Sequence, residues 1–260
     1  MGKKYQEMAE IICQENIADD IYEMWIKTEN IAKGAVPGQF LSLYSSDGSR
    51  LLPRPISICE LNAEKTAIRL VYRVVGKGTE EFSTLHSEDR IKVTGPLGNG
   101  YTLRNGRALL VAGGIGIPPI VELAKELSRR NVANITAVVG YRNCELFLKE
   151  ELDKYCNVYV ATEDGSYGVK GNVMDAINRY GLTADVIYSC GPKPMLKAIS
   201  EYAQHSNIEA QISLEERMAC GIGACLGCIC KSKNKDEHSN VNNKRVCADG
   251  PVFDSREVEL

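Results

Sequence analysis

The sequence predicts a multi-domain chain: an antiparallel β-barrel, then an α/β unit on a parallel sheet, then a small cysteine-rich segment. Three observations predict it. Up to about Gly100, short strand-like runs are broken by Gly and Pro turns. After Arg107, continuous apolar runs alternate with helical stripes. Five of the ten cysteines (Cys220, Cys225, Cys228, Cys230 and Cys247) then fall within the last 41 residues. The expected boundaries are 1–103, 104–214 and 215–260.

In the first part Tyr22, Met24 and Ile26 alternate with Glu23 and Lys27, with Trp25 interrupting the period of two. Residues 38–43 follow a Pro-Gly turn, and 55–59, 67–75 and 90–93 supply further strands. One helix is expected there, over 79–85. Many short strands between such turns read as a small antiparallel barrel. In the second part, residues 108–112 form an unbroken apolar run, as in a strand covered on both faces. A Gly-rich turn follows, then a helix to about Arg130 with Ile120, Leu123, Ala124 and Leu127 on one stripe. Strands are expected at 135–139, 158–161, 186–190 and 208–214, with helices at about 145–154, 172–180 and 194–205. This alternation predicts a parallel sheet whose ligands sit at the C-terminal strand ends.

Net charge −3 gives no basic footprint for nucleic acid. No apolar run approaches the 18 or so residues of a membrane span. The N-terminus shows no hydrophobic signal segment, and Gln6 stands where an acylation motif needs Ser or Thr. A cytoplasmic protein without membrane or nucleic-acid partners is expected. Cys13, Cys59, Cys144, Cys156 and Cys190 read as small buried hydrophobes. His86, His205 and His238 lie in polar or helix-surface contexts and are not expected to be catalytic. Asp236 and Glu237 interrupt the lysines of the polar stretch 231–245, which reads as a solvated loop or hairpin.

The remaining cysteines carry the strongest signal. Cys220-x4-Cys225-x2-Cys228, with Cys247 after eighteen more residues, has the spacing of a plant-type [2Fe–2S] site. Three thiolates reach a two-iron core from one loop, and Gly221, Gly223 and Gly227 let that loop curl. The competing reading is structural zinc, which prefers paired C-x2–4-C knuckles. Cys230 is left out of the ligand set, on the expectation that a strand turns its sulfur away from that of Cys228.

Weaker signals concern phosphates and a ribose. Arg54-Pro55-Ile56-Ser57 lies at a strand edge, and Val74-Val75-Gly76-Lys77-Gly78-Thr79 opens the expected helix as a pyrophosphate seat. Gly113-Gly114-Ile115-Gly116 follows the first parallel strand, and Cys190-Gly191-Pro192 follows another at the same sheet edge. Glu163 and Asp164 are acidic where a ribose 2′-hydroxyl is accepted and a 2′-phosphate repelled, which favours NAD over NADP.

In this order the motifs resemble the ferredoxin-NADP⁺ reductase superfamily, and within it the electron-transfer subunits of type B (NAD-dependent) dihydroorotate dehydrogenases. The most specific stretches are Glu215-Glu216-Arg217-Met218-Ala219-Cys220-Gly221-Ile222-Gly223-Ala224-Cys225-Leu226-Gly227-Cys228 and Val246-Cys247-Ala248-Asp249-Gly250-Pro251-Val252-Phe253. The resemblance implies FAD held by Arg54, Pro55, Ile56 and Ser57, bordered by Val71, Tyr72 and Arg73, with Gly78 and Thr79 at its pyrophosphate. It implies NAD at the sheet edge and a [2Fe–2S] cluster on Cys220, Cys225, Cys228 and Cys247. It further implies an FMN-containing TIM-barrel partner that oxidises dihydroorotate for pyrimidine (UMP) biosynthesis, in a two-plus-two heterotetramer. No catalytic base is expected in this chain, so NADH diaphorase activity without dihydroorotate oxidation is expected of it alone. The alternative is the small flavoprotein subunit of NADH-dependent ferredoxin:NADP⁺ oxidoreductases or sulfide dehydrogenases. Their cluster motif has Asp at the first ligand position, where this chain has Cys220.

Overall fold

A computed structural model describes residues 3–235 and 240–260. Met1, Gly2, Asp236, Glu237, His238 and Ser239 lie outside the described residues.

Six strands close the barrel: β1 (Tyr5–Ala18), β2 (Ile21–Lys27), β3 (Phe40–Tyr44), β4 (Arg54–Leu61), β5 (Ala67–Arg73) and β6 (Arg90–Leu97). Their order is β1-β2-β5-β4-β3-β6, antiparallel throughout, with β6 returning to β1. Alternate residues such as Met24, Ile26, Leu41, Leu43, Ile68 and Leu70 fill the interior. β1 was absent from the sequence expectation. Its outward Met8 and Ile12 are exposed apolar residues, and its inward Gln14 is polar, so alternation of residue type does not mark it. Gln14 Nε2 instead donates to Phe82 and Leu85 carbonyls at 2.9 and 2.7 Å, closing the end of α2 (Lys77–Ser83). The expectation of a single helix here also falls: α1 (Ile31–Gly34) is a four-residue turn beside β6 that buries Ile31 and Ala32, too short for a periodic stripe.

The second sheet holds β7 (Ala108–Gly113), β8 (Ile135–Tyr141), β9 (Asn157–Thr162), β10 (Val169–Lys170), β11 (Val186–Cys190) and β12 (Glu209–Ser213), all parallel. Helices α3 (Pro118–Arg129), α4 (Lys149–Asp153), α5 (Val173–Tyr180) and α6 (Lys193–His205) cover it. α4 is shorter than the expected 145–154 because Leu148 adopts φ 62°, which ends helical continuity on its N-terminal side. Beyond Cys228 a hairpin pairs β13 (Ile229–Lys231) with β14 (Asn243–Arg245). The chain then adds β15 (Val252–Asp254) antiparallel to β12, so the sheet runs β10-β9-β8-β7-β11-β12-β15.

Barrel and sheet share one apolar core: Ile21, Cys59 and Val71 of the barrel's outer face pack with Ile120, Leu123 and Leu110. Beside it runs a charge network that no sequence spacing announces. Arg69, 8% exposed, contacts Glu23, Glu60 and Glu151, while Lys125 Nζ reaches Glu60 at 3.0 Å. Glu122 accepts from the Leu61 amide at 2.9 Å, and burial pushes its carboxyl up. Arg69 and Glu122 are buried while their partners are partly exposed, so losing one partner costs less than the ~3–5 kcal/mol of a fully buried pair. Arg69–Glu151 and Lys125–Glu60 thus tie the barrel to helices of the second sheet.

Candidate functional site

The two weak phosphate signals of the barrel converge. A Cβ placed on Gly78 would lie 2.0 Å from Arg54 Nε, so the guanidinium rests directly on the first turn of α2. Only a residue without a side chain allows that approach. Thr79 Oγ1 accepts from the Val75 amide at 3.0 Å and donates to the Gly76 carbonyl at 2.9 Å, which holds the preceding loop in shape. Its hydroxyl is thus committed to the loop, and the backbone remains for a ligand. Residues 45–50 are strapped to α2 through Glu81, which accepts from Ser45, from the Ser46 amide at 2.7 Å and from Arg50. Burial would raise the Glu81 carboxyl, but the hydrogen bonds from Ser45, Ser46 and Arg50 outweigh it and bring it to about 2.

Arg54, Pro55, Ile56 and Ser57 are half-buried along the start of β4. Of the bordering residues on β5, Val71 faces the shared core, and Tyr72 points into the barrel, where its OH donates to Gln14 Oε1 at 3.0 Å. Tyr72 also stacks on Tyr22 with centroids 6.1 Å apart. Only Arg73 and the backbone of 71–73 are left to meet a ligand there.

The nucleotide signals meet at the switch point of the sheet, where β7 and β11 are neighbours. A Cβ on Gly116 would lie 2.3 Å from the Cys190 carbonyl, and one on Gly191 would lie 3.1 Å from the Gly113 nitrogen. Gly114, at φ +54°, has open space before it. Pro192 leads into α6 and Ile117 into α3, so two helix N-termini flank the crevice. Glu163 and Asp164 sit two strands away, past β9, roughly 10 Å along the edge. Asp164 Oδ1 already accepts from the Ser166 amide at 2.9 Å and hydroxyl at 2.6 Å, while Glu163 is exposed. Glu163 is the better placed of the two for a ribose.

The cysteine loop wraps around its own sulfurs. Cys220 Sγ accepts from the Ala224 and Cys225 amides at 3.3 and 3.4 Å, and Cys247 Sγ accepts from Gly223 at 3.1 Å. Cys225 Sγ accepts from Gly227, and Cys228 Sγ from Cys247, both at 3.4 Å. Burial alone would raise the Cys220 thiol; the amides of Ile222, Cys225 and Ala224 pull it down to about 6, into thiolate range. Cys247 is pushed up to about 12 by burial and by the sulfur of Cys228. Among the described residues no three His, Cys, Asp or Glu side chains gather at single-ion spacing. The x4-x2 spacing with a distant fourth cysteine suits a core of two irons, whereas structural zinc prefers paired knuckles.

Arg245, which sequence reading passed over, joins the two halves of this site. It holds Asp249 through Nε at 3.0 Å and Nη2 at 2.9 Å, and its Nη1 donates to the Gly223 carbonyl at 3.2 Å. Asn99 at the barrel's exit donates to the Ala248 and Asp249 carbonyls at 3.2 and 3.0 Å. Strand alternation does not set Cys230 apart from Cys228. Residues two apart share a strand face, but Cys228 precedes β13, so alternation does not relate the pair. What sets Cys230 apart is its buried contact with the Lys244 carbonyl at 3.5 Å. Cys144 is likewise exposed in the turn after β8, not buried.

Comparison with known proteins follows the same division. Residues 215–259 match the iron-sulfur cluster binding domain of dihydroorotate dehydrogenase B, and residues 110–201 match the oxidoreductase NAD-binding domain. The dihydroorotate dehydrogenase B (NAD(+)) electron transfer subunit of Geobacillus thermodenitrificans is 41% identical, over 98% of this chain and 99% of its own. That of Bacillus velezensis is 44% identical over 97% and 99%. The structure of an NADH-dependent reduced ferredoxin-NADP oxidoreductase, solved in work on flavin-based electron bifurcation, superposes with a TM-score of 0.86 at 31% identity, covering 97% of this chain and 90% of that one. A ferredoxin NADP+ reductase from Neisseria gonorrhoeae shares the fold at 14% identity, with a TM-score of 0.65 and 84% of this chain covered against 95% of its own. The match to the ferredoxin-NADP oxidoreductase is the weaker one in identity, 31% against 44%. The cysteine loop, the glycine crevice and full-length identity agree: this chain belongs to the electron-transfer subunits of dihydroorotate dehydrogenase B.

Proposed function

We propose that this chain draws electrons from an FMN-bearing TIM-barrel partner that oxidises dihydroorotate and delivers them, through a [2Fe–2S] cluster and FAD, to NAD⁺. The partner and chain form a two-plus-two heterotetramer in the cytoplasm. One observation carries this reading. The cysteine loop lies against β3, with Gly221 over Ser42 and Leu97, and the next strand over is β4 with the Arg54–Ser57 motif. Neighbouring strands are about 4.8 Å apart, so the cluster loop and the flavin strand are close enough for direct transfer.

When bound, the cluster supplies single-electron steps and the flavin links them to hydride transfer with the nicotinamide. The protein's part is to hold and orient. Arg54 and the amides opening α2 neutralise the flavin pyrophosphate. Gly113, Gly114 and Gly116, with Cys190, Gly191 and Pro192, leave room for the nucleotide's pyrophosphate, and Glu163 accepts its ribose hydroxyls. Cys220, Cys225, Cys228 and Cys247 bind the irons. Ile222 and Leu226, 52% and 57% exposed at the cluster, leave an apolar rim where a partner would dock.

Co-expression with the FMN partner tests this. The complex should reduce NAD⁺ with dihydroorotate. The isolated chain should contain FAD and equal iron and sulfide, show NADH diaphorase activity, and leave dihydroorotate untouched. A colourless chain holding one zinc would refute it.

A further inference from the structure

Ser42 stands in the middle of β3, where the barrel's outer face meets the cysteine loop. Leu41 and Leu43 point into the barrel core, so alternation sends Ser42 outward. The residue is 1% exposed, and its hydroxyl oxygen is buried without a hydrogen-bond partner among the described residues. A Cβ built on Gly221 would lie 2.9 Å from that oxygen, so the hydroxyl is aimed at the residue following Cys220. On the opposite side Ser42 is in register with Pro55 of the flavin strand, which has no N–H to offer. Backbone amides, among them those of Gly223, Ala224, Cys225, Gly227 and Cys247, reach the four ligand sulfurs. A hydroxyl held dry and unpaired is costly, and a reduced iron–sulfur core is an acceptor that would relieve it.

We propose that Ser42 is a positioning residue that donates its hydroxyl hydrogen to a sulfur on the Cys220 side of the bound cluster. A donor there favours the more negative, reduced core, so it raises the cluster's reduction potential. It does so at the junction with the flavin strand, and thus sets the driving force of the step between the two cofactors. This rests on the [2Fe–2S] reading above, which the iron and sulfide content of the wild-type chain tests separately.

The experiment uses the complex loaded with cluster and flavin, and titrates the cluster by EPR. Ser42→Ala should keep wild-type iron, sulfide and FAD while its reduction equilibrium weakens about tenfold, roughly 59 mV for one electron. Ser42→Thr, which keeps the hydroxyl, should stay near wild type. The wild-type cluster should also show one exchangeable-proton coupling that Ser42→Ala lacks. A merely structural serine would instead lower the melting temperature of cluster-free protein, which Ser42→Ala should not do. If Ser42→Ala fails to load, Ser42→Cys carries the test: a weaker donor of similar size should give a smaller fall of the same sign. An unchanged cluster potential in the variant that loads, or a shift confined to the flavin, overturns the proposal.

Discussion

The nucleotide crevice and the cysteine loop are built by opposite means. At the crevice, Gly113 and Cys190 end two central strands whose side chains are buried on both faces, with α3 and α6 packed behind. Its shape is a by-product of a core that exists without any ligand. Residues 215–228 form no regular element. Gly221, Gly223 and even Leu226 adopt positive φ, and the backbone turns inward to donate to sulfur. A left-handed leucine costs about 1–2 kcal/mol. The amide-to-sulfur hydrogen bonds of the loop offset part of that cost. One site is preformed by apolar packing; the other is completed by its ligand.

Cys247→Ser attacks the ligand-completed site and should have the largest effect. Iron and sulfide should be lost while FAD and NADH binding persist; simultaneous loss of FAD would erase the contrast between the regions. Gly116→Ala attacks the preformed site. Its Cβ would stand 2.3 Å from the Cys190 carbonyl, so NADH affinity should fall at least about tenfold, some 1.4 kcal/mol, with the cluster spectrum intact by titration.

Glu81 gives an intermediate case, a strap made by one carboxylate. Its folded pKa, about 2, lies below the ordinary value of 4.5. The stabilisation is therefore present above pH 4.5 and lost as pH falls toward 2. FAD should dissociate from the wild type across that window, as followed by flavin fluorescence. In Glu81→Gln, FAD release should be easier at neutral pH and lose this acid step. The smallest effect belongs to Cys230→Ser, which should leave iron content and the visible spectrum unchanged. Substantial iron loss there would bring Cys230 into the site.

Much of this was legible from local pattern. The apolar runs of β7 and β11, the helix near 172–180 and the cysteine spacing all concern residues close in the chain. What was not legible joins distant segments. Arg69 meets Glu151, Arg245 meets Gly223, and Ser42 meets Gly221, pairs that no periodicity links. β15 escaped because three residues carry too little period, and β1 because Gln14 spends a core position on capping α2. Arg54 and Gly78 were each weak alone, and became one site only when α2 laid its first turn under the guanidinium.

The antiparallel strand β15 has one more consequence. It returns from the cysteine segment to cover β12, whose Ala210, Gln211, Ile212 and Ser213 are buried. A strand stripped of such a cover is a template for intermolecular pairing. Chain made faster than iron and sulfide are delivered, with its C-terminal segment unanchored, should therefore accumulate as insoluble aggregate. Solubility during synthesis thus becomes a readout of cofactor supply.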